Sequence, residues 1–187
     1  VLDRARFPSD TMSTHVLVSN GVQELQFMGA LPKILALGPS KSRYLTVQDG
    51  DVEIKERFKP FSGIDYGLCI PRDLQDATLV EAARDAGADV RESTKVEQVV
   101  WRDGRAVGVV CRTRETEYEI QAELVIGADG RQSRIAAEVG AWTPYRASKN
   151  GRGFVFRYLD DPLGTAAPDA FQILRADGDQ VLVLPSC

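Results

Sequence analysis

The stretch Gly127-Ala-Asp-Gly-Arg-Gln-Ser-Arg134 is the part of the chain best suited to chemistry. Its two glycines permit positive φ and let a ligand approach the backbone. Asp129 offers acceptors to a sugar hydroxyl, and a helix beginning near Ser133 would present free N–H groups to an anion. The same string also reads as an Asp-Gly turn with Ser133 capping a helix and the arginines in water, and spacing leaves both readings open. Arg72, beside the start of the clearest helix, is a cation where the helix dipole favours an anion, which suits a phosphate partner; pairing with Asp73 or Asp76 is the other reading.

Asp3 ends the short apolar run Val1-Leu2. In dinucleotide-binding folds a carboxylate so placed accepts hydrogen bonds from both ribose hydroxyls, although an aspartate after a strand is ordinarily a turn or cap residue. Arg4 and Arg6 are phosphate candidates or simply solvated cations. His15 is the one histidine and reads as a loop residue, since no Ser-His-Asp constellation follows from sequence order. Trp101 and Trp142 are expected to pack in a core or interface. Phe156 and Tyr158, two apart in an expected strand, share one face.

The 187 residues are 43% apolar and 27% charged, which suits a globular chain with a core and excludes collagen-like and disordered classes. Lys and Arg number 23 against 27 Asp and Glu, interspersed, which argues against a nucleic-acid groove or a polybasic membrane patch. Cys69, Cys111 and Cys187 stand far apart, so no zinc site or disulfide framework is written, and a cytoplasmic location is expected. Apolar runs such as Val181-Leu-Val-Leu184 are too short to cross a bilayer. Both ends read as lying within strands, so a segment of a larger protein is expected.

The elements that would position these residues follow from periodicity. Leu79, Ala82, Ala83 and Ala86 fall at i, i+3, i+4 and i+7, predicting a helix after Pro71 with Asp73 as N-cap and Gly87 at its end. Ala88-Asp-Val-Arg91 reads as a strand beyond it. Tyr44–Val47 and Val52–Ile54 predict a hairpin around Asp49-Gly-Asp51. Asp103-Gly104 joins two alternating segments, 95–102 and 106–113, and a third at 117–121 extends the ladder. Leu124-Val-Ile126 reads as a short strand feeding the glycine turn, and Ile135, Ala136 and Val139 mark a helix that Gly140 ends. After Trp142 come strand-like segments at 154–156, 171–173 and 181–183.

Three blocks carry a family resemblance: Val1-Leu-Asp-Arg-Ala-Arg-Phe-Pro-Ser-Asp-Thr-Met-Ser-Thr-His15, the Pro71-Arg72 helix ending Leu79-Val-Glu-Ala-Ala-Arg-Asp-Ala-Gly-Ala88, and Ile126-Gly-Ala-Asp-Gly-Arg-Gln-Ser-Arg134. In this order and spacing the chain resembles the FAD-dependent monooxygenases of the para-hydroxybenzoate hydroxylase type. The resemblance implies that Asp3 meets the adenosine ribose, Arg4 lies on the adenine side, Arg72 faces the pyrophosphate or ribityl region, and Val96 meets the adenine through its backbone. It also implies that Asp129 and Gly130 contact the cofactor, and it places the Ser13-Thr-His15 loop near the flavin. The G-x-G-x-x-G that the family carries before the point matching Val1, and its later Gly-Asp-Ala block, are not among these residues.

The expected fold is α/β: an incomplete FAD/NAD(P)-binding Rossmann-like region over residues 1–141, with an antiparallel β-meander from about Lys95 to Gln121, and the start of a β-rich substrate domain over 142–187. The resemblance implies FAD as cofactor, NAD(P)H as reductant, O2 as co-substrate, and an aromatic or polyketide-like small molecule as substrate. No catalytic side chain is named, because the cofactor performs the oxygen chemistry. Two alternatives stand beside it: a geranylgeranyl-reductase-type flavoprotein, which an apolar lining in the β-rich domain would favour, and a non-catalytic piece, homo-oligomeric to shield open sheet edges, that retains no FAD.

Overall fold

The computed structural model describes residues 1–143, 153–164 and 166–187. Its elements run β1 (Val16–Leu17), α1 (Ser19–Phe27), α2 (Leu31–Ala36), β2 (Tyr44–Asp49), β3 (Val52–Arg57), β4 (Leu68–Cys69), α3 (Arg72–Asp85), β5 (Lys95–Arg102), β6 (Arg105–Arg112), β7 (Glu117–Gln121), α4 (Arg134–Glu138), β8 (Ala170–Ala176) and β9 (Asp179–Val183). They fall into two compact units, one of residues 1–6 and 88–154, the other of 7–87 and 155–187. The boundary expected after Trp142 adjoins residues 144–152, which lie outside the described ones.

The first unit is built on the antiparallel meander β5-β6-β7. Asp103 and Gly104 both take positive φ, 51° and 73°, the twist a two-residue hairpin loop requires. Alternation puts Val99, Val109 and Cys111 on the buried face, with Val99 directly across from Val109. Gly108 lies on the other face, where a Cβ would stand 2.2 Å from the Ile120 carbonyl oxygen, so only glycine lets β7 approach. The start of the chain lies parallel to residues 89–94: Arg91 N–H donates to Val1 O (2.9 Å), Asp3 N–H to Arg91 O (3.0 Å) and Thr94 N–H to Asp3 O (2.8 Å). The strand expected over 88–91 is thus reduced to the single parallel bridge between Leu2 and Arg91. Leu124–Ile126 joins no ladder, because no described strand lies beside it, and Leu124 and Ile126 stay 73% and 77% exposed.

In the second unit β1 and β4 pair antiparallel, Val16 opposite Cys69 and Leu17 opposite Leu68. Around them Val22 and Leu25 of α1, Leu31 and Ile34 of α2, Ile64, Tyr66, Leu68 and Ile70 close a core. The i, i+3 spacing of each helix's apolar pair turns it to that core. Helix α3 adds Leu79 to the rim of this core and buries none of its residues fully. Its N-cap is Pro71, not Asp73; the ring fixes φ at −53°, Arg72 already has helical dihedrals, and Asp73 lies in the first turn, where its charge suits the dipole. Gly87 ends the helix at φ 91°, as expected.

The unit's other sheet has the order β3-β2-β8-β9. The expected hairpin forms β2 and β3, with Gly50 at φ 56°. Strand β8 then joins β2 in parallel, Val47 opposite Ile173. β3 is exposed throughout, and its charged Glu53, Lys55, Glu56 and Arg57 guard an open edge. Of the strand-like segments after Trp142, 171–173 and 181–183 lie in β8 and β9, whereas 154–156 is in no ladder.

Gly108→Val is expected to lower stability by about 2–4 kcal/mol, since backbone rather than a flexible side chain blocks the new atoms. Urea unfolding checks this, and an unchanged midpoint would contradict the close approach of β6 and β7.

Candidate functional site

Asp3 is held by the backbone on both sides. Its N–H and carbonyl are tied to Arg91 and Thr94, and its Oδ1 accepts the Ala5 N–H at 2.7 Å, an Asx-type turn that fixes the carboxylate. The residue is half-buried, while Arg4 is exposed. Thr94, itself 3% exposed, leads directly into β5, whose second residue is Val96. Val96 pairs with Cys111, and a register shift follows before Gln98. Asp3 and Val96 are therefore positioned by one continuous segment, residues 91–96.

The 127–134 loop takes its place from α4. Asp129 Oδ2 accepts the N–H groups of Arg134 (2.7 Å) and Ile135 (3.2 Å), Oδ1 accepts the Ser133 hydroxyl, and Ser133 Oγ accepts the Ala136 N–H at 2.9 Å. Both the aspartate and the serine thus serve the first turn of the helix. Partial burial raises the Asp129 pKa, but the hydrogen bonds from Ser133, Ile135 and Arg134 outweigh it and hold the carboxyl below the usual range. Gly127 is needed for packing, since a Cβ would sit 2.7 Å from the Ile135 side chain. Gly130, at φ 81°, has no atom beyond its chain neighbours within 4 Å of the place a Cβ would take.

Helix α4 in turn docks on the free edge of β5. Glu138 Oε2 accepts the Val99 N–H at 2.6 Å and Oε1 accepts Arg134 Nε at 3.3 Å. Glu97, whose side chain is 14% exposed, faces Lys95 (3.1 Å), Arg112 (3.4 Å) and Arg134 (3.8 Å). The Lys95 hydrogen bond above all, with the neighbouring guanidinium charges, holds its carboxyl below the ordinary glutamate value. Asp3, Val96, Asp129 and Gly130 therefore all belong to the unit organised by β5.

Arg72 belongs to the other unit. Its Nε and Nη2 bond both oxygens of Asp76, at 2.8 and 2.7 Å, one turn along α3. This realises the ion-pair reading and raises the guanidinium pKa through the Asp76 hydrogen bonds. His15 is 7% exposed at φ 61°, and its Nε2 lies 2.8 Å from the Tyr158 hydroxyl. Sequence reasoning missed that pair: 143 residues separate the two side chains, and no periodicity links them. Trp101 and Trp142 are half-exposed, not core residues. Among the described residues no cluster could hold a metal ion and no helix is long and apolar enough to cross a membrane.

Glu138→Ala would strand the N–H of Val99, a residue 5% exposed, and is expected to cost about 1–3 kcal/mol, measurable as a lower urea midpoint. Asp129 has a folded pKa below its unfolded value, so its contribution is complete above the ordinary aspartate range and fades as pH falls through the lower folded value. The Tm gap between wild type and Asp129→Asn should accordingly be flat from about pH 6 to 8 and close under acid conditions. A gap that widens on acidification would contradict the capping role.

The FAD binding domain family matches residues 1–162 of this chain. Among curated proteins, the digeranylgeranylglycerophospholipid reductase of Methanosarcina acetivorans is 35% identical over 99 residues, 53% of this chain and 24% of that protein. Its counterpart in Thermoplasma volcanium is 31% identical over 148 residues, 72% of this chain and 34% of its own. The chain spans about a quarter of the length of the first of these curated relatives. Among solved structures, the myxobacterial chondrochloren halogenase CndH, described as a variant of FAD-dependent halogenases, superposes with a TM-score of 0.75 at 19% identity, over 98% of this chain and 43% of that one. PqsL, a probable FAD-dependent monooxygenase of Pseudomonas aeruginosa, gives 0.63 at 18% identity over 79% and 40%. These structures share the fold: an α/β FAD-binding arrangement with antiparallel sheets. With the match covering most of its length, the chain belongs to the FAD binding domain family.

Proposed function

We propose that this chain is the FAD-holding segment of a flavin-dependent oxidoreductase of the monooxygenase type, related to the para-hydroxybenzoate hydroxylases, that uses NAD(P)H and O2 to hydroxylate an aromatic or polyketide-like small molecule. The observation that carries the reading is Asp3, a half-buried carboxylate fixed by the parallel pairing of the chain start with residues 91–94. Its chemistry suits the cofactor: an ionised carboxylate accepts from paired ribose hydroxyls without needing a charged partner. Val96 offers backbone groups near the same segment, and the open face at Gly130 admits a ligand to the main chain. Asp129 supports the cofactor indirectly, by fixing the 127–134 loop through the cap of α4. Arg72 contributes as one half of an ion pair, with Arg4 as an exposed cation beside Asp3. When bound, FAD supplies the redox and oxygen chemistry, while these residues bind, orient and restrict access of water. The residues up to 141 serve as the cofactor region and those from 142 as the start of the substrate region. The reading takes the parent protein to be cytoplasmic, with a small-molecule substrate and no nucleic-acid partner; homo-oligomerisation belongs to the alternative in which the chain is a non-catalytic piece.

A reductase of the geranylgeranyl type is the second reading, favoured by one row of side chains. Ile54, Val47, Ile173 and Leu182 stand directly across from one another through β3, β2, β8 and β9, an apolar stripe over the whole sheet. The relatives named digeranylgeranylglycerophospholipid reductase support the same reading.

Visible absorption of the chain after incubation with FAD and removal of free cofactor tests the proposal. A retained flavin band is expected, with Asp3→Ala weakening FAD affinity about tenfold to a hundredfold. A colourless protein would assign the chain to a scaffold that retains no flavin, and an Asp3→Ala variant with unchanged affinity would remove Asp3 from the site. In the intact parent, oxygen consumption coupled to NAD(P)H oxidation separates the monooxygenase from the reductase.

A further inference from the structure

We propose that Cys69 and Cys187 form a dithiol site that closes to a reversible disulfide, tying the segment after β9 to β4. The proposal is independent of the flavin reading, since it uses no residue assigned to the cofactor.

Ser186 brings the two cysteines together. Its hydroxyl donates to the Cys69 carbonyl at 3.3 Å, although 117 residues separate the two along the chain. Cys187 is the next residue, with its Cα about 3.8 Å further on. Disulfides join Cα atoms roughly 4.4–6.8 Å apart, a span that the Ser186 contact puts within reach of a backbone rotation at the flanking residues. Both cysteines carry free thiols and lie in the same compact unit, whereas Cys111 is 0% exposed in the other. Burial above all pushes the Cys69 thiol up to about 11; the Ser186 hydroxyl works against that rise, and charge on Cys187 adds to it. Tyr158, its pKa raised first by burial and then by Asp10 and Asp73, also feels charge on Cys69 and on Cys187, which sets both sulfurs in one neighbourhood.

The two thiols differ in access, and the difference sets the order of events. Cys187 is exposed and meets a small-molecule disulfide such as oxidised glutathione first: its sulfur attacks, the glutathione S–S bond breaks, and one glutathione leaves as thiol. Cys69, 4% exposed, is shielded from glutathione but needs only to reach its neighbour. Its sulfur attacks the Cys187 sulfur of the mixed disulfide, and the second glutathione leaves, taking up the proton that Cys69 loses. The two protein thiols are oxidised by two electrons and one glutathione disulfide is reduced to two thiols. Cys69 is held by its pairing with Val16 of β1, and the next residue, Ile70, donates its N–H to the His15 carbonyl at 3.1 Å. Strand β9 belongs to the β3-β2-β8-β9 sheet, and among the described residues no ladder joins that sheet to β1-β4. The new bond therefore links the unit's two sheets, and a cross-link across so long a stretch of chain restricts the unfolded state strongly.

The full chain is equilibrated in buffers of increasing oxidised-to-reduced glutathione ratio, its remaining thiols are alkylated, and the monomeric protein is digested for peptide mass mapping. A peptide pair joining Cys69 to Cys187 is expected, with the loss of two hydrogens from the intact mass and full recovery of both thiols on adding dithiothreitol. The urea midpoint is expected to rise on oxidation and to return on reduction. Cys187→Ser, a change at an exposed position that leaves the buried Cys69 in place, is expected to abolish both the linked peptide and the midpoint shift. Glutathione retained on Cys187 at every ratio while Cys69 stays open to alkylation in the unfolded protein would overturn the proposal. So would a bond between the Cys187 residues of two copies, a linkage to Cys111, or a midpoint that falls or stays put once the link has formed. The wild-type mapping decides even if the variant fails to fold.

Discussion

The parallel pairing of Val1–Asp3 with residues 89–94 is the constraint on which the first unit's candidate site depends. Backbone bonds of 2.8–3.0 Å tie these residues to a segment some ninety positions away. They fix the height of Asp3 relative to Thr94 and therefore to β5, because residues 91–96 are one continuous segment. The second unit repeats the device at longer range, where β8 enters beside β2 in parallel and completes a sheet that β2 and β3 begin alone. In both units, a late segment supplies the pairing that makes an early one useful. Loop-closure entropy grows slowly with separation, so such long-range pairing is thermodynamically tolerable once the ladder is complete.

Three acidic residues of the first unit serve the backbone. Glu138 accepts the edge N–H of Val99, Asp129 accepts two N–H groups at the start of α4, and Asp3 accepts from Ala5. A short helix such as α4, five residues long, has almost no intrinsic stability. It persists because its first turn is capped from two side chains and its last residue is bonded to the sheet. The glycine loop preceding it inherits that rigidity, so Asp129 positions the loop through the helix instead of standing free beside it.

Local features were legible in the residues because their causes are local. Asp103-Gly104 demanded a tight hairpin, the Leu79–Ala86 stripe a helix, and Gly87 its end, and each stands as read. The Ser133 cap and the Arg72–Asp76 pair were visible as alternatives, yet spacing could not choose between a side chain free for a ligand and one already engaged. What stayed illegible depends on partners far away in sequence. Among the described residues, Leu124–Ile126 has the composition of a strand but pairs with none, and 88–91 forms the single parallel bridge of Arg91 with Leu2. The N-cap of α3 moved by two residues because proline's fixed φ starts the helix before an aspartate can cap it. The His15–Tyr158 contact joins an irregular loop to an irregular segment, so no period in the sequence marks it.

The charge pattern favours recognition of neutral hydroxyls over simple attraction of phosphate. Arg72, the cation set at a helix start, already makes a two-point contact with Asp76, whose side chain is 16% exposed, so a phosphate arriving there also meets a carboxylate. Sharing a guanidinium between two anions returns less than binding a free one, because the charge-assisted bonds to Asp76 must loosen as the new ones form. On the proposed reading, ribose hydroxyls would donate to the Asp3 carboxylate, whose position the Ala5 N–H and the backbone pairing already fix, and no ion pair would have to break. On that reading the Asp3 carboxylate would engage the sugar before any phosphate is bound. Affinity for the anionic part of a dinucleotide then falls to backbone N–H groups and to cations outside the α3 ion pair.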